Sequence, residues 1–444
     1  MVAGLEDYLA YLRFPSVSAD PARAGDMRDC ATWLAAWLAE AGLASELAET
    51  GGPPVVIAST PRRHPRRVLL YGHYDVQPEA PAEGWTHPPF APHVADGVVT
   101  ARGATDNKGQ TMALLLGLRE LMAGGGPPVD VVVVIEGEEE IGSPRLPALL
   151  RERAAQLAAD VALVADTSMV DPGVPSITLG LRGISVLEVT VSGPSADLHS
   201  GQYGGAVANP ATALARLIAG LHDDAGRVAV PGFHDRVLPP SDAERESWAG
   251  LAYGDADLLA ATGSPALAGE AGWSAIERVW ARPTAEVNGL TAGHQGAGSK
   301  TIVPATATAK LSFRLVADQD PDDVAALVAR HLHESCPAGV ELNVRYDHGG
   351  LPYLLDAASP AVAATQRAVM RVTGRPPALV REGLSVPIVA RIREVLGIDT
   401  ILIGLGMPDC RAHSPDETFP VAHLALGAGI CRELLAGLAA APPA

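Results

Sequence analysis

Four short runs of Val, Leu and Ile do most to limit what this chain can fold into: Val68 to Tyr71, Val129 to Ile135, Val161 to Ala165 and Thr400 to Leu405. Each is too short for a helix, nearly continuous in its apolar character, and halted by polar residues, which is the pattern of a strand buried on both faces of a parallel sheet. Between the first two, Gln110 to Met122 has helical spacing and follows a glycine-bearing loop, Arg102 to Gly109. That order, strand, loop, helix, strand, predicts an α/β layer with helices on both faces of the sheet.

Two helices are expected ahead of the first strand, with apolar residues at helical spacing from Ala3 to about Leu47 and a Pro- and Ser-containing turn between them. Near Gly180 the texture changes to alternating strand (Ile184 to Val191), helix (Pro210 to Leu221), strand (Ala305 to Leu315), helix (Pro321 to His333) and strand (Val340 to Tyr346). This reads as an α+β unit inserted into the first, with the return near Gly349-Gly350. The expected division is residues 1–180, first part of the α/β domain; 181–349, inserted domain; and 350–444, second part of the α/β domain. Residues 222–282 are Ala-, Gly- and Asp-rich with weak periodicity and read as an insertion. For 444 residues, two or three units match the usual domain size of roughly 150.

Charge and cysteine usage narrow the function classes. A formal net charge of −18 and only three lysines, Lys108, Lys300 and Lys310, argue against binding a phosphate backbone. No uninterrupted apolar run approaches the roughly 18 residues of a membrane span, and the first residues lack a basic stretch followed by an apolar one, so the cytoplasm is the expected location. Cys30, Cys336, Cys410 and Cys431 are scattered without metal-finger or disulfide spacing and are expected to be reduced thiols.

Ligands in open α/β sheets bind at the carboxyl ends of the strands, and all four predicted strand ends carry metal-type side chains. The first runs into His73 and Asp75, the second into Glu138, Glu139 and Glu140, the third into Asp166, and the fourth toward His413; the loop before the helix adds Asp106. Taken singly, each has a plainer reading: a hydrogen-bonded strand-end histidine, a solvated acidic patch, an N-cap, a turn residue. Converging on one sheet edge, they read as a metal centre. Mixed imidazole and carboxylate donors suit Zn²⁺, with Mn²⁺ or Co²⁺ as alternatives. If one carboxylate bridges, five residues give three ligands to each of two cations and leave a position for a shared water. Two divalent cations then balance three carboxylates and a hydroxide. Asp75 is placed to accept the other imidazole N–H of His73, and Glu139, beside a ligating Glu140, is placed to act as general base.

Other motifs fail. Gly296 to Thr301 resembles a phosphate loop but has Ser299 where the glycine before Lys300 is required. Gly383-Leu-Ser385-Val-Pro387 has a proline at the second glycine of a nucleophile elbow. His331 and His333 read as a surface helix terminus, and Cys410 as a buried thiol.

The segments LLYGHYDVQP, ARGATDNKGQ, EGEEEIGS, VADTS, DLHSGQYGG, GSKTIVP, KLSFRL, REGLSVPI and GLGMPDCRAHSPDE together resemble the M20 metallopeptidases, in the dinuclear branch of carnosinase-like and Cys-Gly dipeptidase-like enzymes. The resemblance implies a zinc-peptidase-like α/β catalytic domain with an inserted ferredoxin-like lid or dimerisation domain. It implies that His73, Asp106 and Asp166 hold one metal and Asp106, Glu140 and His413 the other, with Glu139 as general base. It further implies a homodimer in which His199 enters the neighbouring subunit's site to polarise the scissile carbonyl. Arg314, Thr301 and Ser385 would hold the substrate's terminal carboxylate, and His348 would lie near the substrate. Two positions depart from the family pattern: Asn107 replaces a second Asp, and Leu384 replaces a Gly before Ser385.

The expected activity is hydrolysis of the amide bond of small dipeptides by a metal-activated bridging water. The same centre would also serve an N-acyl-amino-acid amidohydrolase or a carboxypeptidase-like enzyme, and a silent metal-binding scaffold is the reading from outside enzymology. The acidity of the pocket for the substrate's N-terminal side separates the first two.

Overall fold

A computed structural model describes residues 3–79, 84–251, 253–383 and 386–440. Ser385 and Leu384 lie outside them. The four apolar runs become Arg67–His73, Asp130–Glu136, Val161–Ser168 and Asp399–Gly406, mutually parallel and adjacent at the centre of a nine-stranded sheet. Their side chains alternate between two cores. Val68, Leu70, Val131, Val133, Ile401 and Ile403 face one layer of helices with Leu114, Leu118, Ile430 and Leu434. Leu69, Tyr71, Val132, Val134 and Leu402 face the other with Leu149, Ile388 and Ile392. Burial on both faces explains the continuous apolar runs.

The N-terminal helices are Leu5–Leu12 and Ala24–Glu40. The helical reading to Leu47 is corrected: Gly42, at φ 92°, ends the second helix, and Ala44–Ala48 returns as an edge strand beside Val55–Ser59. Alternate burial in a five-residue edge strand leaves too short a pattern to outweigh the helical spacing before it.

The inserted unit has the order strand, helix, strand, strand, helix, strand, with strands Gly183–Ser192, Thr284–Ala292, Thr306–Leu315 and Glu341–Gly350 and helices Pro210–Ala219 and Pro321–Ser335. Its antiparallel sheet places the first and third of these strands at the centre, the ferredoxin-like arrangement. One face packs on the two helices through Leu187, Val189, Leu311, Phe313, Leu214 and Val328; the other, carrying Arg314, is open. The chain passes from the large sheet to the small one at Arg182 and returns at Leu351 and Pro352.

The segment at 222–282 folds into three short helices, Asp242–Ala249, Asp255–Thr262 and Ala275–Ala281. They brace the Leu379–Glu382 strand of the large sheet: Arg381 donates to Glu244 Oε1 at 3.1 and 2.7 Å, Trp248 Nε1 donates to Leu379 O at 3.1 Å, and Val380 is buried with Trp248, Ile276 and Trp280.

Ala422–Ala440 is long and apolar enough to cross a membrane, with a mean hydropathy of 1.3, yet it lies against Lys108–Ala123 inside the core. The two helices meet at glycines. A Cβ on Gly117 would stand 2.5 Å from Ala428 O and 2.8 Å from Cys431 Cβ. Gly117→Ala should therefore destabilise the protein by about 1–3 kcal/mol through overpacking, outweighing the gain of at most ~1 kcal/mol in helix propensity. Denaturant unfolding checks this, and an unchanged or raised midpoint would show that the helices part without cost.

Candidate metal centre

The large sheet delivers its ligands as strand ends do. His73 is the last residue of its strand, Asp166 lies near the end of Val161–Ser168, and Glu139 and Glu140 open a single 3₁₀ turn after Asp130–Glu136. Asp106 sits just before the Lys108–Ala123 helix and His413 on the loop after Asp399–Gly406. His73, Asp106 and Asp166 form one triad and Asp106, Glu140 and His413 another, with the ligand atoms of each within 4.8 Å of one another. His73 Nε2 is 3.3 Å from Asp106 Oδ1 and 3.8 Å from Asp166 Oδ2; His413 Nε2 is 2.9 Å from Asp106 Oδ2 and 3.3 Å from Glu140 Oε2.

Neighbouring side chains hold this set. Asp75, fully buried, accepts the backbone N–H groups of Glu139 at 3.2 Å and Glu140 at 3.0 Å, fixing the acidic turn. His73 Nδ1 lies 3.1 Å from the Asp75 carbonyl and 3.3 Å from its carboxylate, so both groups orient the ring. Gln77 Nε2 donates to Glu140 Oε2 at 2.7 Å. Asn107 Nδ2 donates to Asp166 Oδ1 and to Ala165 O, each at 2.6 Å, while Thr111 donates to Asn107 Oδ1. An ionised Asp at 107 has no proton to give and could not make the first two bonds. Glu138 takes no part in either triad; it is buried against Arg145.

The electrostatics are those of a site that wants cations. Burial pushes the Glu139 carboxyl up to about 7, and Asp106 and Glu140 add repulsion against the opposing pull of His73. Asp166 is raised well above the usual carboxylate range, first by burial. Burial favours neutral His73, yet the Asp106 and Asp75 carboxylates beside its two nitrogens overcome it and hold the imidazole well above its ordinary value. His413 is held up to about 10 by hydrogen bonds to Asp106 and Glu140. His73 Nε2 and Glu140 Oε1 are buried without a hydrogen-bond partner among the described residues. Orphaned donor atoms aligned with converging carboxylates fit divalent cations with mixed nitrogen and oxygen ligands.

The residues expected at the substrate form sets outside both triads. His199, exposed, pairs with Ile302 on a two-stranded ribbon, and Ser200 N donates to Thr301 O at 3.0 Å, so Thr301 lies beside His199 just before the ribbon's second strand. Arg314 and His348 share the open face of the small sheet: His348 is opposite Val186 and Arg314 opposite Ile184, one alternation away. Arg314 lines a cavity of about 330 Å³ with Arg182, Thr284 and Glu286. Cys410 is buried, and burial raises its thiol.

Glu417 was missed by the sequence reading. Its fully buried carboxylate accepts the backbone N–H groups of Gly103, Thr105 and Asp106 at 2.8–2.9 Å. The only available signal was its place in GLGMPDCRAHSPDE, four residues after His413.

Residues 69–437 match the model of Peptidase family M20/M25/M40. A Cys-Gly metallodipeptidase from Candida albicans is 31% identical over 382 residues, covering 84% of this chain and 78% of its own. An M20 family metallo-carboxypeptidase from Sulfolobus solfataricus superposes with a TM-score of 0.84 at 32% identity, over 98% of this chain and 99% of that one. Human carnosine dipeptidase 1 does so with a TM-score of 0.79 at 26% identity, over 98% and 95%. With both triads in place and the match running through nearly the whole chain, this protein is a metallopeptidase and belongs to peptidase family M20/M25/M40.

Proposed function

We propose that this chain is a dinuclear dipeptidase that hydrolyses the amide bond of small unblocked dipeptides and acts as a homodimer. The observation that carries it is the Asp106 carboxylate, whose two oxygens face different imidazoles, so that one side chain completes two triads. His73, Asp106 and Asp166 would hold one cation and Asp106, Glu140 and His413 the other, with Zn²⁺ the best match to the donors and Mn²⁺ or Co²⁺ the alternatives. When bound, the cations supply Lewis acidity, which polarises a carbonyl and brings the pKa of water from 15.7 toward about 7.

The chain's own residues supply the rest. Glu139, with its carboxyl up at about 7, takes the proton as water attacks the carbonyl carbon and returns it to the leaving amine. Asp75 holds both the His73 ring and the turn that carries Glu139. His199 Nδ1 accepts the Gly201 N–H at 3.0 Å, which leaves the proton of the neutral ring on Nε2. An exposed donor of that kind suits oxyanion stabilisation in a second copy's site. Arg314 offers a bidentate partner for the substrate's terminal carboxylate, with Thr301 and Ser385 assisting and His348 beside it on the sheet face. Four unpaired cysteines fit a reducing cytoplasm.

The likeness to a metallo-carboxypeptidase supports a second reading, in which longer or N-acylated substrates are cleaved. Turnover of free dipeptides beside their N-acetylated and N-succinylated counterparts and longer peptides separates the two. Cleavage confined to free dipeptides is expected, and preference for the blocked or longer set would replace this reading with the second.

Glu139→Gln should keep its metal content and lose at least about 100-fold in kcat; metal analysis and steady-state kinetics check it, and near-normal kcat would remove Glu139 from proton transfer. Metal uptake should also depend on pH. His413 carries a proton below about pH 10 in the metal-free protein, so binding at neutral pH must displace it. Apparent affinity should rise about tenfold per pH unit for each displaced proton between pH 6 and 9. Calorimetry in buffers of different ionisation enthalpy reads the proton release, and a flat profile without release would contradict the assignment. In the metal-free protein the sign reverses for stability: the His413 ion pairs contribute fully below its ordinary pKa of 6.5 and are lost as pH climbs toward 10.

A further inference from the structure

Glu417 belongs to neither triad, yet it is a carboxylate with no solvent exposure, and such a group is tolerated only when its oxygens are fully engaged. Its engagement is unusual in what it grips. Oε1 accepts Thr105 N at 2.8 Å and Asp106 N at 2.9 Å, and Oε2 accepts Gly103 N at 2.9 Å and Arg102 Nη1 at 3.0 Å. Three amides of one short loop are thus folded around a single side chain, and the last of them is that of Asp106.

The residue that follows Glu417 closes the other loop, and the Glu417 carbonyl ties that point to the strand before the Asp106 loop. Thr418 N donates to Cys410 O at 2.9 Å, sealing the segment that carries His413, and Ala101 N donates to Glu417 O at 3.0 Å. Thr105 Oγ1 adds a bond to Thr418 O at 2.5 Å. Within the sealed segment Arg411, His413 and Asp416 all hold left-handed backbone, with φ of 61°, 62° and 57°. Non-glycine residues persist there only where surrounding contacts over-determine the conformation. The segment therefore depends on its anchorage, and Glu417 is the anchor that also holds the loop of Asp106, 311 positions away in sequence.

We propose that Glu417 is a positioning residue of the metal centre, holding the Asp106 loop and the His413 loop in one register so that the Asp106 carboxylate faces both imidazoles. The inference rests on the reading of the two triads as a dinuclear site. Its chemistry requires an acceptor at both oxygens. A glutamine has the same shape but presents an NH₂ group either to Arg102 and Gly103 or to Thr105 and Asp106, setting donor against donor on one side.

The test is Mn²⁺ titration of the full chain followed by electron paramagnetic resonance, which counts bound ions and reports exchange coupling through a shared carboxylate. Wild-type protein is expected to bind two Mn²⁺ with a coupled spectrum. Glu417→Gln should bind both ions about 10- to 100-fold more weakly, with the coupling diminished, at temperatures where circular dichroism shows it folded. Glu417→Asp keeps the charge beside Arg102 while withdrawing the acceptor from Thr105 and Asp106. It should show the same joint weakening, and it serves if the glutamine variant does not fold. Two ions bound with wild-type affinity and coupling in a folded variant, even one of lowered melting temperature, would overturn the proposal alone. An uncoupled or single-ion wild type would overturn the dinuclear reading and the proposal with it.

Discussion

Four carboxylates, Asp106, Asp166, Glu139 and Glu140, meet at the edge of one sheet with little solvent to screen them, and the cost of that repulsion governs the design of the protein. Like charges in a low-dielectric pocket either take up protons or are matched by cations. Two imidazoles held well above their ordinary pKa values are the response of the metal-free chain: His73 and His413 act as cations in the positions where divalent ions would bring more charge. The atoms that form these ion pairs are the same ones that make up the two triads of possible metal ligands.

Holding that arrangement takes rigid elements on every side. Parallel strands buried on both faces fix His73 and Asp166, while an acidic turn pinned by Asp75 fixes Glu139 and Glu140. The long loops are the weaker supports, and there the chain uses buried polar side chains: Asn107 on Asp166, and Glu417 between the loops of Asp106 and His413. The small domain carries Arg314 and His348 on its open sheet face. It is braced by an insertion whose Trp248 and Glu244 bind the Leu379–Glu382 strand.

What could be read from the sequence follows from which interactions are local. The continuous apolar runs revealed the four central strands, and polar residues at their ends pointed to the side chains that the fold gathers into two triads, because burial on both faces and the placement of polar groups at strand ends each leave a mark within a few residues. Ala44–Ala48 was lost because a short, half-exposed edge strand carries almost no pattern. The helices of the insertion have weak apolar periodicity, and their mark in the sequence is the capping boxes of Ser241 with Glu244 and Ser274 with Glu277. Glu417 was beyond reach for a different reason: its partners are backbone amides about 300 positions away, and no spacing announces an acceptor for groups that every residue possesses.

The central claim is that one carboxylate, that of Asp106, joins two metal sites. Anomalous diffraction from crystals of the metal-loaded protein measures this directly. Two peaks are predicted, one among His73, Asp106 and Asp166 and one among Asp106, Glu140 and His413, with an Asp106 oxygen ligating each. A single peak, or two peaks of which one has no Asp106 ligand, would contradict the account.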